Sequence, residues 1–259
     1  MAPGANVDLT AIEPGSTPGV SRKEADAALP VHDDQLRGLQ ERLFAEGTRS
    51  LLVVLQAIDA GGKDGTIKHL FRGLNAAGAH VVSFRAPSAD ELAHDFLWRV
   101  HQRTPAKGDV VIFNRSHYED VLVVRVHQLV PEDVWRPRYE SINQFEANLT
   151  AAGTRIVKVF LHISKDEQAE RFRDRIEDPT KCWKFRVGDL DDRARWDAYQ
   201  KAFEEAIART STDDAPWYVI PADKKWYRNW AVSRIVIETL EAMDPRYPPC
   251  DDLKTVTSE

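Results

Sequence analysis

The chain has 259 residues, enough for one large domain with a sizeable core, and its 42% hydrophobic and 29% charged residues give the balance of a water-soluble globular protein. No run approaches ~18 consecutive apolar residues, and no basic segment leads into an apolar one at the N-terminus, so a membrane-spanning helix is excluded and a signal peptide is not expected. The formal net charge of -6 argues against nucleic-acid binding, yet it admits a polyanionic substrate wherever basic residues gather locally.

Two cysteines, Cys182 and Cys250, stand far apart in no metal-ligand spacing and suit a reducing, cytoplasmic setting. Residues 1–30 are rich in Ala, Pro, Gly, Ser and Thr, and read as a flexible arm, either mobile or packed on a partner subunit. Residues 31–259 read as a single domain. Leu36, Leu39 and Leu43 keep helical spacing over Asp33 to Ala45. Leu51 to Leu55 is a continuous apolar run, the signature of a strand buried on both faces. Ile67, Leu70, Phe71 and Leu74 then mark a helix.

Val81 to Phe84 reads as the next strand, and Ser88 with Glu91 forms a capping box opening a helix to about Gln102. Val110 to Phe113 is a third strand. Ile142, Phe145 and Leu149 mark a helix stopped by Gly153. Ile156 to Ile163 is a long strand, and Ser164 with Glu167 caps the helix after it. A basic, irregular stretch runs from Arg171 to Asp189. A helix over Asp192 to Ala208, a strand over Trp217 to Ile220 and a helix over Trp226 to Met243 complete the chain. Such alternation predicts an α/β fold: a parallel sheet with helices on both faces and ligands at the carboxyl ends of the strands.

The first strand runs into Ala57-Ile-Asp-Ala-Gly-Gly-Lys-Asp-Gly65, an imperfect match to the phosphate-binding pattern Gly-x-x-x-x-Gly-Lys-Ser/Thr. Gly62 and Lys63 are in place, whereas Ala57 replaces the first glycine and Asp64 the hydroxyl residue. Ala60, Gly61, Gly62 and Gly65 let backbone N–H groups face a phosphate at a helix N-terminus, and Lys63 adds a point charge. With the hydroxyl missing, Asp59 is the candidate Mg²⁺ ligand. The plainer reading is a glycine-rich turn with a solvated Lys63.

A second cluster closes the third strand: Asn114-Arg-Ser-His-Tyr-Glu-Asp120. Asn114 occupies the place of a Walker B aspartate; it adds no charge but can accept a metal-bound water or hold a phosphate, and with Arg115 it is a candidate for nucleotide binding. Arg115 presents a planar fork to phosphate oxygens. Glu119 and Asp120 are candidates for nucleotide contact, water-mediated metal contact or a solvated helix start. His117 reads as structural, because a phosphate acceptor with a second ionisation near ~6 needs no base.

The third cluster, Arg171 to Arg186, holds six basic residues against three acidic ones in an otherwise acidic protein. Asp178-Pro179 breaks its helix, so Arg171, Arg175, Lys181 and Lys184 read as a lid over about 171–190 that supplies cations to a phosphoryl-transfer site. The alternative is a solvated basic face. The 223–228 segment reads as a polyanion contact or a surface turn. Trp183, Trp226 and Trp230 read as core.

In order, Asp59-Ala-Gly-Gly-Lys-Asp-Gly65, Phe113-Asn-Arg-Ser-His-Tyr-Glu-Asp120 and Asp178-Pro-Thr-Lys-Cys-Trp-Lys184 resemble the polyphosphate kinase 2 family, over about residues 33–245. The resemblance implies a P-loop kinase that moves the terminal phosphoryl group of inorganic polyphosphate to ADP and AMP, in the branch that accepts nucleoside mono- and diphosphates. It implies Mg²⁺, with Mn²⁺ as a substitute, adenine nucleotides with guanine left open, and a homodimer or homotetramer. Lys63 and Arg115 would then hold the phosphates around the transferred group, Asp59 would anchor Mg²⁺, and Arg175, Lys181 and Lys184 would close from the lid, with Lys68 and Arg72 beside the donor and Glu119 distinguishing acceptors. The competing readings are an ATP-dependent small-molecule kinase and a P-loop sensor without turnover.

Overall fold

A computed structural model describes residues 1–249; Cys250 lies outside them. Five strands form one sheet in the order β2-β3-β1-β4-β5: β1 (Ser50–Gln56), β2 (Ala79–Ser83), β3 (Val110–Asn114), β4 (Thr154–His162) and β5 (Trp217–Pro221). Every pairing is parallel. Such a sheet needs a crossover between successive strands, and helices cover both faces. They are α1 (Arg22–Glu46), α2 (Lys63–Leu70), α3 (Ala89–Leu92), α4 (Trp98–His101), α5 (Val123–Val126), α6 (Glu132–Trp135), α7 (Arg138–Ala151), α8 (Lys165–Glu177), α9 (Gly188–Ala194), α10 (Trp196–Thr210) and α11 (Lys225–Met243).

All seven residues of β1 are buried. This central strand pairs with β3 through Leu55↔Asn114 and with β4 through Gln56↔Phe160. The loops after β1 and β3 therefore emerge side by side, at the reversal of strand order where open α/β sheets hold their ligands.

Several boundaries differ from those read in the sequence. The expected arm over 1–30 already contains the first nine residues of α1, capped by Ser21 and Glu24 and running through Pro30. A proline masks helical periodicity, although its single missing hydrogen bond is tolerated in a helix braced along its length by α11. Upstream, Leu9 is 1% exposed and its N–H bonds Glu204 at 2.9 Å, so this segment lies on its own chain. The box of Ser88 and Glu91 is present, but its helix stops at Leu92 and resumes only at Trp98. The basic stretch is helical as far as Glu177 in α8, and only the following turn is irregular.

The apolar run of β4 conceals a charge. Lys158 is fully buried and donates to Glu146 of α7 at 2.5 Å, to the Tyr118 hydroxyl at 3.0 Å and to the Thr210 carbonyl at 2.6 Å. Glu146 also meets His117 Nε2 at 3.1 Å. A buried pair is tolerable when its remaining donors and acceptors are filled, and this one pins the turn after β3 to the sheet. His117 is thereby a structural group, and burial lowers its pKa.

Candidate active site

The loop after β1 is shaped by one close approach. A Cβ on Gly61 would lie 2.4 Å from the Ala57 Cβ and 2.8 Å from the Ile58 carbonyl, so Ala57 in the usual glycine place requires glycine at position 61. Ala60 and Gly62 take positive φ of 61° and 100°, and Gly62 leaves the first N–H groups of α2 without a side-chain cap. From α8, Gln168 Nε2 donates to the Asp59 carbonyl and Arg171 Nη1 to the Ala60 carbonyl, each at 2.9 Å. The donors left open belong to a helix N-terminus, the natural seat of a phosphate.

Lys63 lies 9% exposed with its Nζ donating to the Ala57 carbonyl at 2.9 Å. Burial, with Arg115 nearby, pushes its pKa down to about 8 against the pull of Asp59, Glu119 and Asp64. Arg115 ends β3 in a left-handed turn with φ of 62°, which directs its side chain back across the mouth of β1. There its Nη2 donates to Asp59 at 2.6 Å and its Nη1 to Glu119 at 3.1 Å. Glu119 and Asp59 together raise the Arg115 pKa beyond its ordinary value. Burial works against ionised Asp59, but Arg115 and Lys63 outweigh it and hold the carboxyl below its usual range.

Asp120 faces away from this group. It accepts from Arg138 at 3.2 Å and lies 3.8 Å from Arg99, and burial pushes its pKa up to about 6 despite both. Asn114 donates to Asp64 at 3.1 Å, and Lys184 from the lid turn reaches the other Asp64 oxygen at 3.3 Å. The lid tip therefore rests on the P-loop itself. Arg175 lies 3.8 Å from Asp189 of α9 and over the Phe172 ring.

Two sequence expectations are not met. All three Arg171 nitrogens are engaged within the protein, by Glu167, the Ala60 carbonyl and the carbonyls of Ala222 and Asp223, so it braces the loop instead of facing a phosphate. Lys181 pairs with Asp178 of its own turn at 2.5 Å and remains exposed. Trp183 is 73% exposed on the lid, with its indole N–H donating to the Thr180 carbonyl of the same turn at 2.9 Å, whereas Trp226 and Trp230 pack against the core. Lys68 is exposed on α2. Sequence reasoning also passed over Asp192 of α9, which bonds His127 Nε2 at 2.6 Å and the Tyr199 hydroxyl at 3.0 Å and lies within hydrogen-bonding reach of Asp59. An aspartate in an amphipathic helix carries no signal of this placement.

A parallel sheet whose central strand delivers a glycine-bounded lysine to a helix N-terminus, with an arginine beside it and a basic lid above, defines a P-loop kinase-type phosphotransferase. Residues 19–248 match the family model described as Polyphosphate kinase 2 (PPK2). The chain belongs to the polyphosphate kinase 2 family. It is 56% identical over 250 residues to the AMP/ADP-polyphosphate phosphotransferase of Meiothermus ruber, covering 96% of this chain and 94% of that protein. It is 45% identical to the ADP-polyphosphate phosphotransferase of Rhodopseudomonas palustris, covering 88% of this chain and 83% of that one. The crystal structure of polyphosphate kinase 2 from Arthrobacter aurescens superposes with a TM-score of 0.94 at 42% identity, covering 98% of this chain and 94% of that one.

Proposed function

We propose that this chain transfers the terminal phosphoryl group of inorganic polyphosphate to ADP and to AMP, reversibly. The observation that carries the reading is the convergence of Lys63, Arg115, Asp59 and lid residue Lys184 at the carboxyl end of β1. An acceptor phosphate oxygen, already anionic at neutral pH, attacks the terminal phosphorus in line. The new P–O bond forms as the bond to the rest of the polyphosphate breaks, and the shortened chain leaves with its negative charge. Lys63 and Arg115 hold the oxygens of the transferred group, and the open N–H groups of 61–65 cradle the donor. Arg175 and Lys184 close from above, and Glu119 faces the acceptor.

The donor set suits Mg²⁺, with Mn²⁺ as a substitute. Among the described residues no group of three or more His, Cys, Asp or Glu side chains forms a metal cage. Asp59 offers one hard carboxylate beside a phosphate cradle, which is how Mg²⁺ is usually held, by a carboxylate or two together with water and substrate phosphates. Asp59 would hold it, with Asn114 through a water, and the ion would neutralise charge on the donor. We further propose that residues 31–259 act as one domain with a lid over 171–190, assembled as a homodimer or homotetramer in the cytoplasm. Among the described residues no helix is long and apolar enough to cross a membrane.

The test is a stoichiometry. With Mg²⁺, AMP and polyphosphate, each nucleotide phosphoryl group gained must match one phosphate lost from the polymer, and a chelator must stop the reaction. Polymer loss as free phosphate, without nucleotide gain, would refute the transfer.

A further inference from the structure

The loop glycines press against a cation that forms no ion pair among the described residues. Arg228, in the first turn of α11, is 4% exposed. A Cβ on Gly62 would meet its Nη1 at 2.2 Å, and one on Gly65 its Nη2 at 3.0 Å. Its Nε and Nη2 donate to the amide oxygen of Asn229 at 3.2 and 2.8 Å, while Nη1, the nitrogen against Gly62, has no hydrogen-bond partner among the described residues. Arg171 also approaches, its Nη1 3.3 Å from the same Gly62 position, but its charge is answered by Glu167 at 2.6 Å. Arg228 has no such carboxylate among the described residues, and burial with Arg171 pushes its pKa down to about 10. A buried charge is costly unless an opposite charge accompanies it.

Two exposed lysines stand at the start of the same helix, after Asp223, whose carboxylate accepts from the Ser164 N–H at 2.8 Å. The N-terminus of α11 has no side-chain cap and no acidic residue in its first turn, and Lys224 and Lys225 are exposed beside it. The Arg228 guanidinium thus reaches from the first turn of α11 to Gly62, the residue at the N-terminus of α2. Strand order gives the direction. Arg115 and Glu119 follow β3 on one side of β1, whereas α11 follows β5 on the other.

We infer that Arg228 and the open N-terminus of α11 form a binding subsite for the trailing phosphates of the donor chain, on the side of the P-loop opposite the acceptor. This rests on the polyphosphate reading above. A linear polyanion laid across Gly62 would present its end to Lys63 and Arg115, with its tail meeting Arg228, Lys224 and Lys225. The glycines at 62 and 65 then serve a second purpose, since any Cβ there would displace the guanidinium.

The experiment is equilibrium binding of long-chain polyphosphate, of tripolyphosphate and of ADP to the full chain across a salt series, for wild type, Arg228→Gln, Arg228→Lys and the surface double variant Lys224→Gln/Lys225→Gln. The subsite predicts about tenfold or greater weakening of long-chain polyphosphate in Arg228→Gln, and a salt slope shallower by about one. Tripolyphosphate and ADP should bind as in wild type, and Arg228→Lys should keep the slope. The double variant, exposed and so independent of any folding defect, should also lose slope. A wild-type slope in both glutamine variants overturns the subsite, as does equal weakening of ADP. If wild type itself binds no polyphosphate, the donor assignment falls and the subsite with it.

Discussion

Replacing Lys63 by Met separates what this residue does for function from what it does to stability. The buried ammonium has its pKa lowered from 10.5 to about 8, which at ~1.4 kcal/mol per tenfold in proton affinity corresponds to about 3 kcal/mol of destabilisation at neutral pH. Methionine of similar length removes that penalty but leaves the Ala57 carbonyl unpaired, a loss of roughly 1–2 kcal/mol. The net expectation is a variant more stable at pH 7 by about 1–2 kcal/mol, a rise in melting temperature of roughly 2–6 °C for a chain of this size. The folded state holds the Lys63 proton less tightly than the unfolded chain, so between pH 8 and 10.5 the unfolded state carries more protons. Wild-type stability therefore gains with rising pH across that window, and the advantage of the variant shrinks there. Phosphoryl transfer, by contrast, should fall by about 10²–10³-fold, because the lost cation faces charge developing in the transition state. Thermal melts at pH 7 and pH 10, with initial rates at pH 7, read both effects. A melting advantage that ignores pH, or a turnover equal to wild type, would refute the reasoning.

The same ionisation predicts that polyphosphate affinity of the free protein declines by up to about tenfold per pH unit above pH 8, and that Lys63→Arg flattens the decline; equilibrium binding across pH 7–10 decides it. Gly61→Ala places a methyl 2.4 Å from Ala57 Cβ, and the forced loop shift should lower kcat/KM by about 10²-fold, with partial recovery in Gly61→Ala/Ala57→Gly. Lys158→Met strands Glu146 in the core and should destabilise by about 3–5 kcal/mol in a thermal or denaturant melt, whereas Lys158→Met/Glu146→Leu regains much of it. Lys184→Ala should raise the KM for polyphosphate several-fold, more than Lys181→Ala does, because only Lys184 reaches the P-loop side chains.

The sheet was legible because β1, β3 and β4 are apolar runs bounded by turn residues, and burial on both faces leaves such runs little alternative. The loops after β1 and β3 were legible because the chemistry of phosphate binding demands Gly62, Lys63 and Arg115 at fixed distances from strand ends. Pro30 and the alanines around it hid the first half of α1, whose helical state comes from packing on α11. Arg171 and Arg228 show the deeper limit. Both are arginines near the phosphate loop, and only the positions of Glu167, the Ala60 carbonyl and the loop glycines show which of them is already satisfied. Asp192 and Lys158 were invisible for the same reason, since their partners come from segments 65 and 12 residues away in sequence.

The central claim is the identity of the donor. Purified protein with Mg²⁺ and AMP or ADP should form ADP and ATP when long-chain polyphosphate is the only donor, and this should fail in Lys63→Met. Product formed from ATP as the only donor, with none from polyphosphate, would contradict the account and leave an ordinary P-loop kinase.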